Sequence, residues 1–455
     1  MKKKIICVTL MLILVLTTIL TGCNSANFEP KNAENLAKGA TYTNGKSVSE
    51  RFSFSTKGRG SVNIKFDAPI TFNTILLNET TQTVVAFEFW TKINGEDTLI
   101  YKQDEIGGMR YCYVDRITTD NLVLKVTSAG KCKLSKFEVY NIKRDMGDFR
   151  RTTYLSAGQF LSENLDGEGL KHVSDIILFG TAHYTTSGDI IVDEKTIEDS
   201  IARIKQIREG APVNIFATFI LAGGQTAVDG VQPQELALKN NKDKLITNIC
   251  GVVEKFALDG ASFDYEYPYT LAEYDVYSNF LIALKQKLGS KKLSVAIAPW
   301  GLHFSKQVYD VVDYFEVMAY DLIDKRGNHC GWQYSFIDAL NYLESKGVPK
   351  GKIDMGVAFY SRPIDYGEDW RGYSGEVDKL GEFGNYVAEE FYSTDFSGNK
   401  FLVKGRWYNG VNMIQDKTAF AFDSGVGGMM MWHYNCDVKY SDERSLLRAM
   451  NGIFN

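Results

Sequence analysis

From about residue 150 onward the sequence alternates short apolar runs with longer amphipathic stretches, and few folds accept that order. The runs are TTYLSAGQF, SDIILFGTA, VNIFATFILAGG, LDGASFDYE, LSVAIAP, YFEVMAYD, KIDMGVAFYS and VGGMMMWHY. Each has the length of one strand. Between them lie segments such as TIEDSIARIKQIREG and LAEYDVYSNFLIALKQKLG, with apolar residues at helical spacing. Eight strand–helix units over residues 150–455 predict an α/β fold, a TIM (β/α)8 barrel. A doubly wound sheet alternates in the same way but rarely needs eight strands in this order.

Upstream the pattern differs, as expected of a 455-residue chain too long for one ordinary domain. Residues 35–145 carry SVNIKF, NTILLNE, VAFEFWTK, NLVLKVTS and KLSKFEVYNI, separated by turn sequences such as KGRG, NGED and SAGK. Period-two alternation with regular turns predicts an all-β sandwich, a jelly-roll, ahead of the barrel. Residues 23–34 are polar and read as a tether. Residues 1–22 read as a targeting segment, with MKKK as its positive end and Ile5–Leu20 as its apolar stretch. Leu20-Thr21-Gly22-Cys23 resembles a bacterial lipobox, in which the cysteine is lipidated and becomes the new N-terminus. Cys23 is then the lipid-attachment residue; an ordinary signal peptide cut nearby is the alternative. No later stretch approaches the roughly 20 apolar residues of a spanning helix. The mature chain is therefore expected to be exported and held at the cell surface or cell membrane by its lipid.

Apolar residues make up 44% of the chain, enough for large cores, and the formal net charge is −5. A nucleic-acid binder usually shows a basic surplus, so none is expected as a partner. Of the seven cysteines, Cys7 leaves with the signal and Cys23 takes lipid. Cys112, Cys132, Cys250, Cys330 and Cys436 remain, without metal-ligand spacing. Cys112 and Cys132 fall in the same small domain and could pair. His329-Cys330, and His433 with Cys436, could suggest a metal site, but solitary core or loop residues fit better.

The fourth barrel run, LDGASFDYEYP at 258–268, is unusual in carrying acids. Barrel strands point alternate residues inward. Glu266, Asp264 and Ser262 share one face; Tyr265, Phe263 and Ala261 share the other. The apolar set must meet the helices, so the acids face the interior, which is normally packed with branched apolar side chains. Buried carboxylates are costly unless hydrogen-bonded. These stand at the C-terminal end of the strand, where barrel enzymes place their sites; a buried structural ion pair is the alternative. Two residues along a strand span about 6.6 Å, so the carboxyls can nearly touch. Like charges that close cannot both ionise easily, so one keeps a proton near neutral pH, as a general acid must. The pattern suits acid-catalysed cleavage of a glycosidic bond.

Here the sequence resembles glycoside hydrolase family 18, the chitinases and endo-β-N-acetylglucosaminidases. The family's D-G-x-D-x-D-x-E appears as Asp259-Gly260-Ala261-Ser262-Phe263-Asp264-Tyr265-Glu266. SDIILFGTAHYTTSGDI resembles the second strand, and Gly223-Gly224 match the glycines of S-x-G-G after the third. Met318-Ala319-Tyr320-Asp321 resembles M-x-Y-D, Gly356–Arg362 resembles G-x-P-F-Y-G-R, and Gly427–Trp432 resembles G-G-x-M-x-W. The N-terminal domain resembles the discoidin (coagulation factor 5/8 type C) family through NLAKGATYT, FNTILLNE and LSKFEVYNI. Members of that family often bind carbohydrate and often serve as spacers; both readings stay open.

Most retaining glycosidases use a second carboxylate as nucleophile; family 18 instead uses the substrate's own 2-acetamido oxygen. The resemblance implies that Glu266 is the general acid and then the base for water. Asp264 would orient the acetamido N–H and stabilise the developing cation. Tyr320 would bond the acetamido oxygen, Asp321 would hold the distorted sugar, and Trp432 would floor the −1 subsite. Tyr360 and Arg362 occupy a mouth position that contacts sugar in relatives, although Arg362 could instead brace its loop. Ser262 replaces an aspartate that in relatives shares a proton with the next one, so the pKa of Asp264 should fall relative to theirs. Leu221 and Gln225 replace a serine and an aromatic flanking the glycines, which weakens the case for an extended chitin cleft. No family-type inserted domain of about 70 residues is expected after strand seven. DYGEDWRGYSG is expected to form a polar, aromatic loop, whose Trp370 and Tyr373 either wall a sugar site or pack the loop on itself.

The expected function is hydrolysis of β-1,4 bonds in N-acetylglucosamine-containing glycans, with chitin oligomers, N-glycan cores and peptidoglycan as competing substrates. The alternative is a weakly active or inactive lectin-like surface lipoprotein, which the retained Glu266 disfavours. No metal or organic cofactor is implied. The partners expected are the glycan and, through the lipid, the membrane; the chain is expected to act as a monomer.

Overall fold

The structure is a computed structural model and describes residues 28–30, 33–156, 159, 161–364, 369–394 and 398–454. The expected signal segment, its Cys23 and most of the tether lie outside these residues. No helix among the described residues is long and apolar enough to cross a membrane.

Eight parallel strands close into a barrel. They are Arg150–Ser156, Asp175–Tyr184, Asn214–Leu221, Gly260–Asp264, Lys292–Ile297, Tyr314–Val317, Ile353–Ala358 and Gly428–Trp432. Each pairs in parallel with the next, and the eighth closes on the first through Gly428–Arg150 and Met431–Thr153. Each apolar run of the sequence supplies one strand. Helices cover the outside. Glu194–Arg208 starts where the Asp193 side chain accepts from Thr196 N. Leu271–Leu288 starts with a reciprocal cap between Thr270 and Glu273. The apolar face of strand four points outward: Phe263 stacks on Tyr184 at the end of strand two at 5.2 Å and packs on Phe280 of the helix Leu271–Leu288 at 4.8 Å. Gly260 is required there, since a Cβ would lie 2.2 Å from the Lys292 carbonyl oxygen.

The barrel interior departs from the usual apolar filling. Thr152, Asp175, Thr218, Ser262, Ser294, Glu316 and Asp354 are all buried. At the floor Arg150 pairs with Asp354 at 2.7 Å, and Thr152 Oγ1 donates to the same carboxylate at 2.8 Å. The interior is thus polar from floor to mouth, and the acids of strand four top a column rather than standing alone.

After strand seven the connection holds more than the polar loop expected from the sequence. Tyr360–Pro363, Arg371–Gly372, Tyr386–Val387 and Arg406–Trp407 form a small antiparallel sheet, and Phe391–Thr394 pairs with Lys400–Val403. These strands are two to four residues long, too short for alternation to register.

The N-terminal region is all-β, a six-stranded sheet around its own core of Phe72, Leu77, Phe87, Phe89 and Phe137. SVNIKF and NTILLNE lie in one long strand, Phe54–Glu79; NLVLKVTS and most of KLSKFEVYNI lie in another, Met109–Tyr140. The sequence suggests separate strands because the turn residues between them interrupt the alternation. Cys112 and Cys132 are both free and buried. One side of the sheet docks on the barrel helix Val411–Asp423. Arg110 pairs with Asp416 and Arg144 with Asp423, all four side chains at most 5% exposed.

Candidate active site

Strand four ends at Asp264, and the bend that follows places Glu266 beside it at the C-terminal mouth of the barrel. Asp264 is buried, and its Oδ1 has no hydrogen-bond partner among the described residues. Burial pushes its carboxyl above the usual range, and the charge of Glu266 adds to the push. Glu266 is open to solvent but walled by protein. Burial raises it, a hydrogen bond from Tyr267 draws it back, and Asp321 raises it again. Both carboxyls therefore resist ionisation, the deeper one through desolvation, and the pair retains a proton. Asp259, the first residue of the motif, is elsewhere: its Oδ2 accepts from Ile215 N at 2.8 Å and ties strand four to strand three.

Tyr320 stands beside the pair. It is 9% exposed, and the negative charges of Asp321, Glu266 and Asp264, added to burial, keep its hydroxyl protonated. Asp321 follows with φ of 57°, a left-handed conformation that Asp tolerates better than most residues. Its Oδ1 lies 3.0 Å from His329 Nδ1 and 3.1 Å from Arg362 Nε, and its Oδ2 lies 2.7 Å from Arg362 Nη2. Burial works to raise Asp321, but His329 and Arg362 outweigh it and hold the carboxylate ionised well below its ordinary range. Arg362 thus pairs with Asp321 from Tyr360–Pro363, just beyond strand seven.

Trp432 closes strand eight half-buried, 4.9 Å edge-on to Phe179 and 5.2 Å from Tyr154. Tyr360 lies under Trp370 at 5.6 Å and beside Tyr320 at 6.0 Å, buried rather than lining the open mouth. Trp370 is 46% exposed and extends that aromatic wall, whereas Tyr373 is buried and bonds the Arg444 carbonyl. The two residues of this loop thus differ: Trp370 is partly exposed over Tyr360, and Tyr373 anchors the loop to the Arg444 segment. Gln225, where an aromatic was missing, accepts from Thr186 N and Oγ1, both at 3.0 Å.

Three residues hold a place near the site that a reading of the sequence does not give them. Tyr154 places its hydroxyl 3.4 Å from Ser262 Oγ. His329 sits in a loop with no periodicity. Glu316 shares the parity of Met318 and Tyr320, so the alternation used on strand four would have found it. The register sets Asp264 level with Ala296 and Ala296 level with Glu316. Burial lifts Glu316 well above its ordinary range; Ser294 draws it down, and Asp354, Asp175 and Asp264 lift it further. Burial thus favours its neutral form. Among the described residues no group of three or more His, Cys, Asp or Glu side chains is placed to share a metal ion.

This geometry agrees with known proteins. The family model for glycosyl hydrolases family 18 matches residues 150–437, the whole barrel. Probable chitinase LysM11 of Penicillium expansum is 26% identical over 265 residues, half of this chain and 22% of that protein's own length. The crystal structure of the family 18 chitinase ChiB from the chitin utilization locus of Flavobacterium johnsoniae superposes with a TM-score of 0.53 at 20% identity. It covers 67% of this chain and 93% of that one. A mutant of the class V chitinase from Nicotiana tobaccum, in complex with NAG4, gives 0.51 at 14% identity, over 68% and 99% of the two chains. Barrel, acidic strand and family model converge, and the chain belongs to glycosyl hydrolases family 18.

Proposed function

We propose that this chain is an exported, lipid-tethered glycosidase that cleaves β-1,4 bonds of an N-acetylglucosamine-containing glycan from within. The single observation that carries the reading is the Asp264–Glu266 pair at the barrel mouth, both carboxyls held above their ordinary range. Glu266, at the open end, protonates the leaving oxygen and later deprotonates water. Asp264, below it, steers the 2-acetamido group, whose oxygen attacks the anomeric carbon; one C–O bond breaks as another forms, and the proton passes from Glu266 to the departing sugar. Tyr320 supports the acetamido oxygen, and the half-buried face of Trp432 seats the ring. Asp321, kept ionised by His329 and Arg362, accepts a sugar hydroxyl. That a class V chitinase was captured with NAG4 supports the choice of sugar.

The test is a panel of three substrates: chitopentaose, a chitobiose-core N-glycopeptide and purified peptidoglycan, with products read by mass. One of the three is expected to be cut internally. Intact substrate in all three arms would overturn the reading.

A second expectation concerns Ser262, which is fully buried and contacts Tyr154. Ser262→Asp adds a like charge below Asp264, so the pair should hold its proton to higher pH. The alkaline limb of the pH–rate profile should move up by about one unit, with the peak rate changed less than about tenfold. An unmoved profile with a collapsed peak rate would contradict this.

A further inference from the structure

His329 is fully buried and makes two hydrogen bonds. Nδ1 faces Asp321 Oδ1 at 3.0 Å, and Nε2 faces the Trp407 carbonyl oxygen at 3.3 Å. Arg362 keeps the carboxylate ionised, and a carbonyl only accepts. Both ring nitrogens thus face acceptors, and only an imidazolium donates from both. The groups around it are Asp321 with Arg362 behind it, the Cys330 thiol, and the Tyr360 ring at 5.4 Å; Lys417 lies one residue away, on the Cys330 carbonyl. Burial opposes charge on the ring, but Cys330 and Asp321 outweigh it, lifting His329 to about 9.

The loop that carries His329, residues 322–332, does not close on the barrel alone. The N-terminal β-region reaches it with two acids. Asp104 Oδ2 pairs with Arg326 Nη1 and Glu105 Oε1 with Arg326 Nη2, each at 2.9 Å. Glu105 Oε1 also accepts from Trp332 N at 2.9 Å. Next to them Gly108 N donates to Gln333 Oε1 at 2.8 Å, and Trp332 Nε1 donates to the Met109 carbonyl. The approach is so close that a Cβ at Gly107 would lie 2.4 Å from Gln333 Oε1. From the barrel side Lys417 Nζ donates to the Cys330 carbonyl at 2.8 Å. The residue before it, Asp416, takes Arg110 of the β-region. The loop is clamped on both sides of His329, and the β-region supplies half the clamp.

We propose that the N-terminal β-region is a positioning element of the active site, whose Asp104 and Glu105 hold the 322–332 loop so that His329 keeps Asp321 fixed for substrate. The proposal rests on the reading of Asp321 as a sugar-holding residue. His329, Glu105 and Asp104 are positioning residues; none touches the reacting atoms.

The test uses the full chain with 15N-labelled histidine, five resonance sets in all, and His329→Asn to assign one of them. In the wild type both His329 nitrogens should be protonated at pH 7.5. In Glu105→Ala the ring should lose its proton at least about one pH unit lower. KM for the substrate found in the panel should rise roughly fivefold to tenfold, with kcat within about threefold. If near-ultraviolet circular dichroism shows Glu105→Ala unfolded, the Asp104→Asn, Glu105→Gln double variant keeps shape without charge and carries the same test. A folded variant with unchanged His329 titration overturns the proposal, and a shifted histidine with unchanged KM overturns its link to substrate. If the wild type cuts nothing, the histidine readout still decides whether the β-region holds the loop, and only the glycosidase reading falls.

Discussion

Glu266→Gln is expected to lower kcat about a thousandfold while leaving binding and fold intact. The substitution keeps the size of the side chain and removes its titratable carboxyl. Glu266 is open to solvent, so a neutral amide there should change stability little. No neighbour can take over. Asp264 shares the pair's proton but is buried behind Glu266, at the level of Ala296 on the next strand. Asp321 is ionised by two cations and has no proton to give. The Tyr267 and Tyr320 hydroxyls are held protonated by the surrounding acids and burial, too weak as acids for the step. Initial rates on the panel's substrate, beside a thermal melt of each protein, check this. A folded Glu266→Gln within tenfold of wild type would remove Glu266 from the chemistry.

The second large effect falls on stability. Arg110→Ala is expected to cost about 3–5 kcal/mol, because it strands a buried carboxylate. Asp416 is fully buried and accepts from Arg110, from Tyr101 and from Tyr113 N, the last at 2.7 Å. Burial already lifts Asp416 to about 6 against the pull of Arg110. With the guanidinium gone, the two neutral donors cannot hold the charge, and the Trp332 ring loses the cation lying 4.6 Å from its centre. Arg110→Met with Asp416→Leu should recover most of the loss, since an apolar pair carries no desolvation cost. Urea denaturation of the three proteins measures the difference. A single variant as stable as wild type would show that the docking of the β-region does not depend on this pair.

The sequence revealed most where a single period governs a residue's environment. Eight apolar runs became eight strands, and parity on strand four put Asp264 inside, with Glu266 just beyond the strand and open to solvent. The same parity on strand six would have exposed Glu316, but the run YFEVMAYD looks apolar enough to pass as core. His329 had no pattern to betray it, because its role comes from a loop closing on Asp321 and Trp407, far apart in sequence. Arg362 was legible only through the family resemblance; its pairing with Asp321 needed the fold. The small sheet after strand seven was lost because its strands are shorter than one full alternation. The docking of the β-region on Asp416 and Asp423 was invisible for a different reason: two arginines and two aspartates so distant along the chain carry no mutual signal until both domains are folded.

The most direct measurement is the anomeric configuration of the first-formed product, followed by proton NMR during the opening minutes of chitopentaose or glycopeptide cleavage. Attack by the substrate's own acetamide, with Glu266 serving as acid and then base, predicts that the new reducing end appears as the β-anomer before mutarotation. First appearance of the α-anomer would mean that water attacks directly from the opposite face. Asp264 would then not steer an acetamide nucleophile, and Glu266 would not serve in turn as acid and base.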